Sequence, residues 1–191
     1  MRIIAGTARG RRILSVPKTM MVKPISGRMR QSLFDILRTK VTASHFLDLF
    51  AGTGAVGLEA LSRGAERVCF VEKDPRCMKV IERNLEHLGL SDRAVAFRGN
   101  VLGPLDWIPF RAGVERFDLV FLGPPYRDEE NRPLAYSGIV LANIAAAGLL
   151  AADGWVVVQR HKKEAVPVPK GLASFREARY GDTVMTFFRR G

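Results

Sequence analysis

The sequence predicts an α/β fold: a mostly parallel seven-stranded sheet with helices on both faces and a C-terminal antiparallel hairpin, preceded by a small N-terminal β-hairpin/helix extension. Three observations carry this. From residue 45, short apolar runs alternate with segments whose apolar residues recur every three or four positions, the alternation expected of βαβ units. The first apolar run ends in the glycine-rich Ala51-Gly52-Thr53-Gly54, a strand-to-helix turn. The last two runs are split only by Tyr180-Gly181-Asp182, too short for a helical crossover and suited to a hairpin.

The elements follow in order. Ile3-Ile4 and Ile13-Leu14 flank Gly6-Thr7-Ala8-Arg9-Gly10 and read as two short strands around a turn. Leu33, Phe34, Ile36 and Leu37 have the spacing of a core-facing helix. Residues 45–50 form the first main strand, and a helix with Val56, Leu58 and Leu61 apolar ends near Gly64. Residues 67–72 form the next strand. Pro75 opens a helix, where its missing N–H costs nothing. Met78, Ile81, Leu85 and Leu88 give that helix one buried stripe, and Gly89 caps it. Residues 94–97 and 117–122 are strands, 132–151 a helix, 155–158 a strand, and 172–179 with 183–188 the closing hairpin. In such sheets ligands bind beyond the carboxyl ends of the strands. This places the tips after Phe50, Glu72, Phe97 and Leu122 on one rim.

Composition narrows the class. The chain has 191 residues, 47% hydrophobic and 26% charged, an ordinary globular balance that excludes disorder and low-complexity repeats. Two cysteines exclude a disulfide scaffold. Cys69 and Cys77 match no metal or redox spacing, so they read as packing residues of a reduced, cytoplasmic protein, and no metal is expected. The longest apolar stretch, Ile139 to Ala152, is interrupted by Asn143 and is shorter than the roughly 20 residues of a membrane span. No apolar core of a secretory signal is present. The net charge of +11 points to a polyanion. It is concentrated: residues 1–40 hold ten Lys/Arg against one acid, Asp35, while residues 41–191 hold 20 bases against 18 acids. The chain is therefore divided into a basic, polyanion-binding extension, 1–40, which the resemblance given below makes RNA-docking, and a nearly neutral domain, 41–191.

Chemistry gathers at the tips. Gly52, Gly54 and Gly57 satisfy the spacing of the dinucleotide fingerprint, so a nicotinamide cofactor stays open at this step. Asp48 in the preceding strand disfavours it, since an acid repels pyrophosphate. An acid there suits a ligand with an ammonium and a sulfonium, such as S-adenosyl-L-methionine. Glu72 ends the second strand 20 residues after Gly52 and is placed to accept both hydroxyls of a ribose. Asn100, past the third strand, is placed to bond an adenine edge or simply to form a turn. Gly123-Pro124-Pro125-Tyr126 is a rigid tip whose ring is suited to stacking on a splayed-out base.

Asp48 to Gly54, Glu72 and the Pro-Pro-Tyr tip resemble the motifs of Rossmann-like class I S-adenosylmethionine-dependent methyltransferases that act on exocyclic amines of bases. Nearly the whole chain is similar to the bacterial 16S ribosomal RNA guanine-N2 methyltransferases of the RsmD type. The matching pieces are residues 1–6 with Gly10-Arg11-Arg12, Lys23-Pro24 through Arg28 to Phe34, Leu47 to Gly64, Phe117 to Tyr126 and Tyr180-Gly181-Asp182-Thr183. The resemblance implies a monomeric rRNA methyltransferase acting on 16S ribosomal RNA, within a small-subunit assembly particle. It implies cofactor binding by Asp48, Phe50, Ala51, Gly52, Thr53, Gly54, Glu72, Lys73, Asn100 and Val101. The acceptor site falls to Gly123, Pro124, Pro125 and Tyr126, and RNA contact to Arg9, Arg11, Arg12, Lys23, Arg28, Arg30 and Arg127.

Three departures stand out. The family's tip carries Asp or Asn where this chain has Gly123. That side chain and the first proline's carbonyl orient the target amine; here the Pro124 carbonyl remains, with Asp128 a more distant substitute. The family's Arg-Pro-Thr-x-Asp-Arg becomes Lys23-Pro24-Ile25-Ser26-Gly27-Arg28, and Asn100 stands where Asp is usual. Two other readings share these features: a DNA amino-methyltransferase, and a cofactor-binding RNA-binding or assembly protein with weak or lost catalysis.

Overall fold

The computed structural model describes residues 1–17 and 25–191; the candidate Lys23 lies outside the described residues. The chain divides into two compact units, Met1–Asn100 and Val101–Gly191. Its described strands number seven and make a mostly parallel sheet that finishes antiparallel, as the alternation predicts.

The first unit contains α1 (Gly27–Ile36), β1 (His45–Leu49), α2 (Ala55–Ser62), β2 (Arg67–Glu72), α3 (Pro75–Leu88), a 3-10 turn at Ser91–Arg93 and β3 (Ala94–Arg98). Its strands run in the order β3-β2-β1, all parallel. Phe46 to Leu49 and Val68 to Val71 are buried without alternation, the signature of strands covered on both faces. In α3, Asp74 caps the N-terminus by accepting from Arg76 N–H, Pro75 occupies the first turn, and Gly89 closes the end at φ 69°. Met78, Ile81, Leu85 and Leu88 are all buried, as their spacing requires. Each contributes about 1.5–3 kcal/mol of apolar burial.

The N-terminal arm forms the short hairpin expected: Arg2 and Arg12 make an antiparallel bridge, and Ile3 N–H donates to the Arg11 carbonyl, Gly10 N–H to the Ile3 carbonyl and Ile13 N–H to the Met1 carbonyl at 2.9–3.0 Å. Its backbone is spent partly on α2. Ile4 and Ala5 N–H donate to the Glu59 carboxylate at 2.9 and 3.0 Å, and Ala8 N–H donates to Ser62 Oγ at 3.0 Å. Gly6 lies so close that a Cβ there would sit 1.7 Å from the Ser62 carbonyl oxygen. Ser26 caps α1, which buries Leu33 and Phe34.

The second unit contains α4 (Trp107–Ala112), β4 (Phe117–Leu122), α5 (Tyr136–Ala146), β5 (Leu150–His161), β6 (Leu172–Tyr180) and β7 (Thr183–Arg190), with strand order β4-β5-β7-β6. β4 and β5 are parallel, and β7 runs antiparallel to both β5 and β6. The helix expected over 132–151 is shorter. Pro133 is taken up in a bridge with Arg127, and Gly148 at φ 60° turns the chain out of the helix. β5 accordingly starts at Leu150, with an irregularity before Trp155. α4 is not announced by apolar spacing, being only six residues long with Pro109 inside it.

Candidate functional site

In the first unit the loop after β1 is shaped by three left-handed residues: Phe50 at φ 58°, Gly52 at 56° and Gly54 at 79°. A non-glycine residue there is uncommon, and Phe50 marks a sharp reversal at the strand end. Gly57 is required by closeness, since a Cβ would fall 2.2 Å from the Phe70 ring. That lets α2 lie directly against β2. Ala51, Thr53 and Gly54 are buried and Gly52 is partly exposed.

Asp48 is turned inward. Its side chain is 1% exposed, and Oδ2 accepts from Gly57 N–H at 2.9 Å. It therefore ties the strand to the start of α2. Burial pushes its carboxyl up to about 7, against the opposing pull of the Gly57 bond.

Glu72 is held as the position after an apolar strand requires. Oε2 accepts from Gly52 N–H at 2.8 Å, and Oε1 from Lys73 and Asp74 N–H at 2.8 and 2.9 Å. Three backbone donors fix the carboxylate in orientation, and spare lone pairs remain for further donors. A vicinal diol has that chemistry. Residues 48–57 contain no cation, and the Glu72 carboxylate stands at the loop, an environment that disfavours phosphate and tolerates a cationic, phosphate-free nucleoside. This donor and acceptor set fits S-adenosylmethionine. Lys73 and Asn100 are exposed beside this loop's strands. Val101 is buried in the second unit, where its carbonyl and that of Gly103 accept from Asn143 Nδ2.

Two residues that hold this half together carry no motif in the sequence. Asn84 donates from Nδ2 to the Thr53 and Leu14 carbonyls, both at 3.2 Å, and its Oδ1 accepts from Leu14 N–H at 2.7 Å. Glu59 is 0% exposed and gathers Ile4 N–H, Ala5 N–H, Arg30 at 3.3 Å and Arg63 at 2.8 Å. The one available signal is a polar residue on an otherwise apolar helix face.

The predicted RNA-binding arginines separate. Arg9, Arg12 and Arg28 are exposed. Arg11 is exposed but donates to the Leu88 and His87 carbonyls at the C-terminus of α3, a favourable place for a cation. Arg30 is withdrawn from any phosphate: it is 1% exposed and paired with Glu59. Burial lowers its pKa, and Glu59 opposes that shift.

In the second unit the tip after β4 is anchored through Tyr126. Its hydroxyl accepts from Gln159 Nε2 at 3.0 Å and donates to Thr183 Oγ1 at 3.3 Å. Its ring meets His161 edge-on, centroids 6.0 Å apart. Burial raises its pKa, against the two hydroxyl bonds. The ring is only half-exposed, tied back to β5 and β7, and not a freely projecting platform. Pro124 is buried and Pro125 exposed. Asp128 is no substitute for a side chain at 123: its oxygens accept from Arg132 N–H at 2.8 Å and Nε at 2.6 Å. Arg127 is exposed, and its guanidinium donates to the Asn131 carbonyl.

The family model described as "Conserved hypothetical protein 95" matches residues 1–189. Ribosomal RNA small subunit methyltransferase D of Escherichia coli is 32% identical over 99% of this chain and 89% of its own length. Among solved structures, Escherichia coli yhhF superposes with a TM-score of 0.80 at 26% identity, covering 100% of this chain and 97% of that one. Thermus thermophilus hypothetical protein TTHA0928 gives 0.75 at 33% identity, covering 99% of each. With its glycine-shaped loop, its strand-end glutamate and a match over nearly its full length, the chain belongs to the Conserved hypothetical protein 95 family, the RsmD-type methyltransferases.

Proposed function

We propose that the chain is an S-adenosylmethionine-dependent rRNA methyltransferase that methylates the exocyclic N2 amine of a guanine in 16S ribosomal RNA. The observation that carries the cofactor half is Glu72, a carboxylate oriented by three backbone N–H groups at the end of β2. The kinship with a small subunit rRNA methyltransferase supports the RNA half.

When bound, S-adenosylmethionine supplies an electrophilic methyl group on a sulfonium. The chain's own residues bind and orient. Glu72 accepts the ribose hydroxyls, and Asp48 keeps the loop in register with α2 through Gly57. The Pro124 carbonyl accepts from the target amine and Tyr126 lends its ring face to the base. Catalysis by this set is proximity and orientation. Exposed Arg9, Arg12 and Arg28 hold phosphates, with Arg11 and Arg127 at their margins, and binding to the RNA is accordingly salt-dependent. The enzyme works as a cytoplasmic monomer on a small-subunit assembly particle.

The test is tritiated methyl transfer to undermethylated small-subunit particles, followed by nucleoside digestion. Radiolabelled N2-methylguanosine is the expected product. Label in adenine or cytosine of duplex DNA offered in a parallel reaction instead favours the amino-methyltransferase of DNA. Cofactor binding without transfer favours a non-catalytic assembly protein, a reading that rests on Gly123. Calorimetry with Glu72→Ala is expected to show S-adenosylmethionine binding weakened by about 10- to 10²-fold, since an oriented, charged acceptor contributes about 1.5–3 kcal/mol.

A further inference from the structure

Position 123 is bare where base-amine methyltransferases of this kind carry an acceptor, and the neighbouring strand carries an acceptor with nothing to accept. Gln159 lies on β5. The parallel register pairs Leu122 with Val158, so Gly123 and Gln159 are the next neighbours along the same pair of strands. Neighbours in register project to the same face of a sheet. A Cβ built on Gly123 would indeed lie 3.9 Å from Gln159 Cβ, an ordinary side-chain contact.

The carboxamide is half used. Its Nε2 donates to the Tyr126 hydroxyl at 3.0 Å. That hydroxyl also lies 3.3 Å from Thr183 Oγ1, and with Nε2 turned to it the amide presents its oxygen away from it. Gln159 Oε1 is buried and has no hydrogen-bond partner among the described residues. An unpaired buried acceptor is costly, and such exceptions in native structures call for an explanation. Gln159 as a whole is only half-buried. The last torsion of a glutamine is broad, so the oxygen can adjust to an arriving donor within the range that keeps Nε2 on the Tyr126 hydroxyl.

We propose that Gln159 supplies, from the neighbouring strand, the acceptor for the target amine that Gly123 lacks, while its Nε2 holds Tyr126. This rests on the base-amine methyltransferase reading above. Gln159 is then a catalytic residue in the sense of touching the substrate's reacting nitrogen. Asp128 is turned to Arg132 through both of its oxygens. The same pairing explains why a glycine is tolerated at 123: the polar function has moved across one strand. A side chain there would press on Phe121, whose ring atoms lie 3.2 and 3.4 Å from a built Cβ.

The experiment is single-turnover methyl transfer from tritiated S-adenosylmethionine to undermethylated small-subunit particles. It compares wild type, Gln159→Leu, Gln159→Glu, and Gln159→Leu combined with Gly123→Asn. Calorimetry of the cofactor and filter binding of the particle run in parallel. Gln159→Leu is expected to slow transfer about 10²-fold, with cofactor and particle affinities within about twofold of wild type. Gln159→Glu is expected to keep most of the rate and to add an acid limb to the pH–rate profile, as its carboxylate protonates. Adding Gly123→Asn to Gln159→Leu is expected to recover at least about tenfold. Gln159→Leu within about twofold of wild type would overturn the assignment. So would a Gln159→Glu variant that folds, binds cofactor and is as slow as leucine; because it keeps the polar group, it decides the matter if the leucine variant fails to fold. Wild type that binds cofactor but transfers to no RNA overturns the underlying reading instead.

Discussion

The loop after β1 and the tip after β4 are built on opposite plans. In the loop, the key polar groups are paired with the protein itself: Asp48 with Gly57, Glu72 with three N–H groups, Asn84 with Thr53 and Leu14. At the tip, a tyrosine is held half-exposed and a glutamine oxygen is left without a partner among the described residues. The first plan suits a small ligand of constant shape, which gains from a preorganised cradle. The second suits a large substrate whose reacting group arrives last and completes the site.

The largest expected effect breaks the first plan at its support. Glu59→Ala leaves Arg30 buried without its counter-ion and two N–H groups unpaired, and is expected to cost about 3–5 kcal/mol in urea unfolding. Next comes Asp48→Asn. Its carboxyl sits at about 7 in the folded protein against its ordinary 3.8, so between those pH values the folded state binds a proton that the unfolded state has released. Stability from this group therefore falls as pH rises through that window, with the full cost above pH 7. An asparagine still accepts from Gly57 but does not titrate. The variant is expected to melt higher than wild type at pH 8, with the advantage vanishing near pH 4, in thermal unfolding followed by circular dichroism.

A third change leaves both plans intact and tests the arm. Replacing Arg9, Arg12 and Arg28 by Gln is expected to weaken particle binding and flatten its salt dependence. The slope falls by about one for each phosphate left without its arginine, with cofactor affinity unchanged in calorimetry. The smallest effect sharpens the second plan. Tyr126→Phe removes a hydroxyl bonded at 3.0 and 3.3 Å and is expected to cost about 1 kcal/mol in denaturant unfolding, without altering cofactor affinity.

Much of this is legible in the residues. The buried, unalternating strands and the stripe on α3 follow from apolar spacing alone, and Glu72 is identifiable because a charge ending an apolar strand is costly without a purpose. The N-terminal hairpin is half visible: its strands and turn glycines show, but the bonds of Ile4, Ala5 and Ala8 go to Glu59 and Ser62, partners on a distant helix that no local pattern announces. Arg30 reads like every other arginine in a basic run, and only packing separates it from Arg28. Charge and packing also divide the chain at different places, composition at residue 40 and compactness at Asn100. Gln159 is silent in the sequence because its meaning depends on a strand register, which the sequence does not display.

Asn84 carries a practical consequence. One carboxamide grips Leu14 on the basic arm and Thr53 in the loop after β1. Deleting the arm to measure its share of RNA affinity would also unfasten the loop, and a drop in methyl transfer in such a truncation would be misassigned to docking. Point changes at the exposed guanidinium groups, with the arm left in place, are the cleaner dissection.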